Sequence, residues 1–241
     1  MNHPACVSEL DGFLSGIAAL PIGVAGVTAL RGDYDLTRFA PGLYRRAGVE
    51  CPPAVARAVT RRQAEYLAGR CLSRRLWAER GQRPLQLGSG EHRQPLWPQA
   101  WVGSISHTSD IALSCLARSS EISLLGVDVE HWMTPEVARQ ISATVVDSRE
   151  ARYLETLGPF EHLLTLVFSA KESLFKALYP QVGRYFGFEA ARVVAIQWAA
   201  GLLILRVTQD LSPSVRAGML FECFFQPGAG VVFTIVARAV T

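Results

Sequence analysis

Two carboxylates and two lysines are the residues of this 241-residue chain whose spacing most clearly suggests chemistry. The segment L-L-G-V-D-V-E sets Asp128 and Glu130 two positions apart. Alternate side chains of a strand share a face, so these two carboxylates point one way and Leu125, Val127 and Val129 the other. Carboxylates that close repel each other unless a cation sits between them. Hard oxygen donors of this kind suit Mg²⁺, which is usually held by a few carboxylates together with phosphate oxygens. The plainer reading is an edge strand with a charged solvent face.

The second stretch is F-S-A-K-E-S-L-F-K-A-L-Y-P, Phe168 to Pro180. Of 24 basic residues, 22 are arginine, and the only lysines are Lys171 and Lys176. A chain that uses arginine for ordinary positive charge keeps lysine where a compact ammonium with a movable pKa is needed. Leu163, Leu164, Val167, Leu174 and Leu178 recur with helical period, which predicts a helix from near Glu161. It should stop before Pro180, because proline disfavours helical geometry in the residue ahead of it. Glu172 and Lys176 stand four apart. On a solvated helix such a pair contributes only about 0.2–0.5 kcal/mol.

The rest of the chain must position these groups. Pro52-Pro53 opens a long helix, Ala54 to Arg80, since the first turn has no partners for its N–H groups. Arg62 and Arg70 lie two turns apart on it, and the simple reading is two solvated arginines. Residues 81–100 are loop, rich in glycine and proline. Strands follow at Trp101–His107, Ile111–Ala117 and Leu124–Glu130. Pro135 starts another helix, and Asp147-Ser148 caps one that carries Glu150 in its first turn. An acid there is often only a partner of the helix dipole. Val193–Trp198, Leu202–Val207, Met219–Gln226 and Val231–Ala239 read as strands, with a hairpin turn at Pro227–Gly230. Residues 1–50 are weakly patterned, with a break at Pro41-Gly42. This mixed order favours an α+β fold with antiparallel sheets over a doubly wound parallel one. Each half offers a long helix and a few strands. The expectation is therefore two similar lobes, a pseudo-duplication, spanning 1–123 and 124–241.

Composition narrows the function. Hydrophobic content of 49% and charged content of 19% describe a globular chain with a substantial core. A formal charge of +3 fits an anionic ligand but is too small to argue for nucleic acid. No apolar run reaches the length of a membrane span, and Asp11 interrupts the one candidate signal segment. Cys6, Cys51, Cys71, Cys115 and Cys223 are scattered and odd in number, which points to reduced thiols in a cytoplasmic protein.

Taken together, G-V-D-V-E at 126–130 and F-S-A-K-E-S-L-F-K at 168–176 resemble the paired signature of the 4′-phosphopantetheinyl transferases. Those motifs have the forms G-[IV]-D-x-E and [WF]-[SCT]-x-K-E-[AS]-x-x-K. S-I-S-H at 104–107, Arg93 with Pro95, Trp97 and Pro98, and R-R-Q-A-E-Y-L-A-G-R at 61–70 are similar to the larger, two-lobed branch of enterobactin-type and surfactin-type activators. The resemblance covers about residues 57–180. It implies an active site at the interface of the lobes and transfer of 4′-phosphopantetheine from coenzyme A to a serine of an acyl or peptidyl carrier protein. The by-product is 3′,5′-ADP. It implies Mg²⁺, with Mn²⁺ as an alternative, held by Asp128, Glu130 and Glu172. Glu150 matches the glutamate proposed as general base, and Lys176 the lysine that contacts phosphate and is implicated in proton transfer. Arg62, Arg70, Arg93, Ser106, His107 and Lys171 match positions that bind the phosphates and nucleotide of coenzyme A. A hydroxyl and an imidazole at Ser106 and His107 would both donate to a 3′-phosphate. Phe168 stands where many members have tryptophan. The expected protein is a monomer serving fatty-acid, nonribosomal peptide, polyketide or siderophore synthesis. A competing reading is a module of the same fold that binds coenzyme A or a carrier without transfer. Another Mg²⁺-dependent phosphoryl-transfer enzyme would need a G-x-x-x-x-G-K-[ST] loop or a kinase motif set, and the chain has neither.

Overall fold

The computed structural model describes residue 10 and residues 12–240, so Cys6 and Asp11 fall outside the described residues. The chain forms two compact units divided between Glu121 and Ile122, with residues 22–24 grouped with the second.

The first unit contains strands β1 (Leu14–Ala19) and β2 (Thr28–Tyr34), short helices α1 (Gly42–Ala47) and α2 (Pro53–Ala56), helix α3 (Thr60–Glu79), and strands β3 (Trp101–His107) and β4 (Ile111–Arg118). Its antiparallel sheet has the order β1-β2-β4-β3. The two N-terminal strands are not evident in the sequence. β2 reads T-A-L-R-G-D-Y, where Arg31, Gly32 and Asp33 break the apolar alternation. Pairing with β4, far along the chain, makes it a strand: Thr28 lies opposite Leu116 and Asp33 opposite Ile111. The long helix expected from Ala54 is also two helices. Val59 adopts extended backbone ahead of α3. The Gln63 side chain donates to the carbonyls of Ala56 and Ala58, which satisfies the acceptors left by the break.

The second unit contains β5 (Ile122–His131), helices α4 (Pro135–Val145), α5 (Ser148–Glu155) and α6 (Phe160–Val182), and strands β6 (Ala191–Gln197), β7 (Leu202–Val207), β8 (Leu220–Pro227) and β9 (Val231–Ala239). The antiparallel order is β5-β9-β8-β7-β6. α6 lies across this sheet and buries Leu163, Leu164, Val167, Leu174 and Leu178, the five residues of the expected apolar face. The helix does not stop at Pro180. It continues to Val182 and ends at Gly183, whose left-handed backbone (φ 70°) lets its N–H reach the Tyr179 carbonyl. The result is an α+β fold with two antiparallel sheets, each carrying one long helix.

Cys51, Cys71, Cys115 and Cys223 are free thiols, the last three buried. Among the described residues no helix is long and apolar enough to cross a membrane.

Candidate functional site

The acidic strand β5 is an edge strand, as its plainer reading required, but its acidic face is not left to solvent. Helix α6 covers it, and the reason is Gly126. A Cβ at Gly126 would lie 2.0 Å from the Ser173 carbonyl oxygen and 2.5 Å from the Ala177 nitrogen. Only a residue without a side chain allows the helix backbone this close. The contact brings Ser169, Glu172 and Lys176 over the strand. Asp128, 3% exposed, is gripped from both sides: Lys176 Nζ donates to Oδ1 at 2.7 Å, and Ser169 Oγ donates to Oδ2 at 2.8 Å. The Glu172–Lys176 spacing is therefore not a solvated surface pair, because Lys176 is engaged with Asp128.

Glu130 and Glu172 are half-buried in the same region. Burial, reinforced by Asp128 and Glu172 and opposed by Lys176, pushes the Glu130 carboxyl up to about 8. Burial and Asp128 also raise the Glu172 carboxyl, against Lys176. Three carboxylates thus share the charge of one ammonium. Among the described residues no three His, Cys, Asp or Glu side chains converge as a formed metal-binding set. The donor chemistry nevertheless suits a hard divalent cation, since all three groups are oxygen acids and the burial of each disfavours an uncompensated negative charge. Lys176 occupies Asp128 Oδ1 as a stand-in cation.

Glu150 and Lys171 form a separate buried centre. Lys171 Nζ donates to the Val145 carbonyl at 2.8 Å and to Glu150 at 3.0 and 3.2 Å, with the lysine side chain 2% exposed. Glu150 also accepts from the Asp147 N–H, closing a capping box on α5, and from the Val193 N–H of β6. The two residues tie α4, α5, α6 and β6 together. Burial lowers the Lys171 pKa, and Glu150 opposes that shift. Lys171 is thus engaged within the protein and turned to no open surface.

The first-unit candidates separate in the same way. Arg62 Nη1 lies 3.0 Å from His107 Nε2. The guanidinium can only donate, so Nε2 accepts and the ring proton lies on Nδ1. Glu65, 8% exposed, stands within 3.6 Å of Arg61, Arg62 and His107. His107 and Ile105 share the face of β3 toward α3, where Ile105 packs at Gly69. Ser106 is buried on the opposite face, so its hydroxyl and the His107 imidazole diverge. Arg70 is not solvated. It is 6% exposed, donates to the carbonyls of Leu87 and Gly88 and to Ser89 Oγ, and stacks 4.4 Å over the Tyr66 ring. Arg93 lies exposed in the 81–100 loop with a left-handed backbone (φ 67°).

Sequence reasoning passed over Ser173 and Thr234 and gave Ser169 no role. All three hydroxyls are buried beside Asp128. The available signal was a single threonine inside the apolar run V-V-F-T-I-V-A.

With this geometry established, comparison with known proteins places the chain. The fold that carries this acidic group is that of a class of transferases. Residues 51–117 match the model of the 4′-phosphopantetheinyl transferase N-terminal domain, and residues 124–218 that of the 4′-phosphopantetheinyl transferase superfamily. Enterobactin synthase component D of Salmonella typhi is 39% identical over 182 residues, 73% of each chain. The 4′-phosphopantetheinyl transferase Svp of Streptomyces mobaraensis is 34% identical over 191 residues, 77% of this chain and 76% of that one. With enterobactin synthase component D of Salmonella typhimurium the identity is again 39%, but the match spans only 56% of either protein. The chain belongs to the 4′-phosphopantetheinyl transferase superfamily.

Proposed function

We propose that this protein transfers the 4′-phosphopantetheine group from coenzyme A to a serine of an acyl or peptidyl carrier protein and releases 3′,5′-ADP. The observation that carries the reading is the acidic group on β5 and α6: Asp128 is buried and paired with Lys176, and the Glu130 and Glu172 carboxyls beside it are both raised by burial and by Asp128. In a chain of this superfamily, Asp128, Glu130 and Glu172 would hold Mg²⁺, or Mn²⁺ in its place. When bound, the ion offsets negative charge on the pyrophosphate as the bond to the leaving group breaks. The serine oxygen forms the new P–O bond, and the pyrophosphate P–O bond breaks toward 3′,5′-ADP.

The chain's own residues have distinct tasks in this reading. Lys176 reaches Asp128 yet keeps a quarter of its side chain exposed, which suits an ammonium that also meets a phosphate. Glu172 and Lys176 are the ionisable groups of the site placed to handle the proton of the attacking hydroxyl. Glu150 has the motif position of a general base, but its oxygens are taken by Lys171 and two backbone N–H groups. We therefore assign Glu150 and Lys171 to the framework that holds α6. In the first unit, Arg62, His107 and Arg93 supply donors for the phosphates of coenzyme A. Arg70 shapes the loop at 87–89.

The test is direct. Incubation with Mg²⁺, coenzyme A and a panel of apo carrier proteins from fatty-acid and nonribosomal systems should add one phosphopantetheine mass to at least one carrier. Asp128→Ala should abolish that addition. No mass gain on any carrier, or full activity in the alanine variant, overturns the reading.

A further inference from the structure

Thr234 lies on β9, outside both acidic motifs and beyond residue 218, where the superfamily match ends. In the sheet register its Cα is paired with that of Asp128, so the two side chains share the face under α6. Its hydroxyl joins a chain of four buried groups. Ser173 Oγ is 2.7 Å from Thr234 Oγ1, Thr234 Oγ1 is 2.9 Å from Ser169 Oγ, and Ser169 Oγ is 2.8 Å from Asp128 Oδ2. All four residues are at most 3% exposed.

The direction of this chain follows from proton counting. A carboxylate only accepts, so the single proton of Ser169 is committed to Asp128. Thr234 must then be the donor to Ser169, while Ser173 Oγ, which donates to the Thr234 carbonyl at 3.1 Å, packs its oxygen against the same Thr234 hydroxyl. The Thr234 and Ser169 hydroxyls thus point their protons toward Asp128 Oδ2, and the first bond polarises the second. Oδ2 is thereby held in place, and Oδ1 is presented on the side where Lys176 lies. Outer-shell partners of a metal-binding carboxylate fix its orientation in this way.

We propose that Thr234 is a positioning residue for the cation site. It acts through Ser169 to fix the Asp128 carboxylate, so that Oδ1, which Lys176 now meets, is aimed where a divalent ion would bind. The proposal rests on the reading of Asp128 as an ion-binding residue, and it adds a residue from the C-terminal strand that neither motif contains.

The experiment measures Mn²⁺ binding to the intact protein, without coenzyme A or carrier, by calorimetry or by the paramagnetic resonance of free Mn²⁺. Thr234→Val keeps the shape and removes the hydroxyl, and it should weaken Mn²⁺ binding at least about 10-fold. Thr234→Ser should restore binding to within about 3-fold of the unmodified protein, a rescue that simple packing does not predict because serine packs worse than valine there. Ser169→Ala removes the next link from the helix side and should weaken binding as much as Thr234→Val. It decides the matter if the valine variant does not fold. Mn²⁺ affinity unchanged in folded Thr234→Val, or in Ser169→Ala, overturns the proposal. Asp128→Asn separates the two ideas. If it loses Mn²⁺ while Thr234→Val does not, only the role of Thr234 fails. If it binds Mn²⁺ normally, the ion site itself is misplaced and both ideas fall.

Discussion

Replacing Lys171 by methionine isolates what the buried pair at the foot of α6 contributes. Methionine keeps most of the stem volume and removes the ammonium. Glu150, 5% exposed, would keep two backbone N–H donors but lose the ammonium paired with it. Breaking a buried pair by removing one partner typically costs about 3–5 kcal/mol, because a buried charge is left uncompensated. The depth of this pair places Lys171→Met in that range. The double variant Glu150→Gln/Lys171→Met buries no charge and should cost only about 1–2 kcal/mol, since neutral replacement of a buried pair is often close to neutral. Urea denaturation of the wild type, both single variants and the double variant gives the cycle, and single costs of about 3–5 kcal/mol against about 1–2 for the double put the coupling at about 4 kcal/mol or more. Transfer activity is measured on the same proteins below their midpoints. A general base contributes about 10²- to 10⁴-fold to rate. If Glu150 belongs to the framework, the double variant stays within a few-fold of wild-type kcat. A loss near the base range in a folded double variant, or a single-variant cost below about 1 kcal/mol, refutes the reasoning. Lys171→Arg adds a check on why this arginine-rich chain keeps lysine here. A guanidinium must enter a site that leaves the lysine side chain 2% exposed, and overpacking of this kind costs about 1–3 kcal/mol.

Other expectations follow from the same geometry. Gly126→Ala drives a methyl group into the backbone of α6, which cannot yield as a side chain would, and should cost about 3 kcal/mol or more by urea midpoint. The Glu130 carboxyl is raised from 4.5 to about 8, so its folded form holds a proton that the unfolded chain releases. Its stabilising contribution is full below pH 4.5 and lost as pH rises through about 8. In chelator, stability should therefore fall with a slope approaching about 1 kcal/mol per pH unit between pH 5 and 7.5, and Glu130→Gln should flatten it. Mg²⁺ should raise the melting temperature more at pH 8 than at pH 6, where protons compete for the same oxygens. Arg70→Met removes three donations to residues 87–89 and should cost about 3 kcal/mol by denaturation, reflecting the role of Arg70 in holding the loop.

Much of the candidate site was legible because its signals are local. The i, i+2 carboxylates, the lysine helix and the apolar stripe of α6 each lie within one element, where strand and helix periods decide which residues share a face. What stayed hidden depends on partners far along the chain. Arg62 and Arg70 look alike on a helical wheel, yet one meets His107, 45 positions away, and the other the carbonyls of a loop. Ser106 and His107 are neighbours in sequence, and the pleat of β3 sends them to opposite faces.

The amino-acid sequence by itself determined the family, the α+β class and the set of acidic and basic residues from which the site is built. Tertiary structure decided their division of labour. Lys171 and Lys176 are five residues apart on one helix. The first is sunk against Glu150 and the Val145 carbonyl, and the second reaches Asp128 with part of its chain still exposed. Only the packing of α6 on β5, made possible at Gly126, separates a lysine that braces the framework from one that faces the site. Only the strand register sets Thr234 beneath Asp128. Both depend on contacts between residues tens of positions apart or more, and no local period of the chain encodes them.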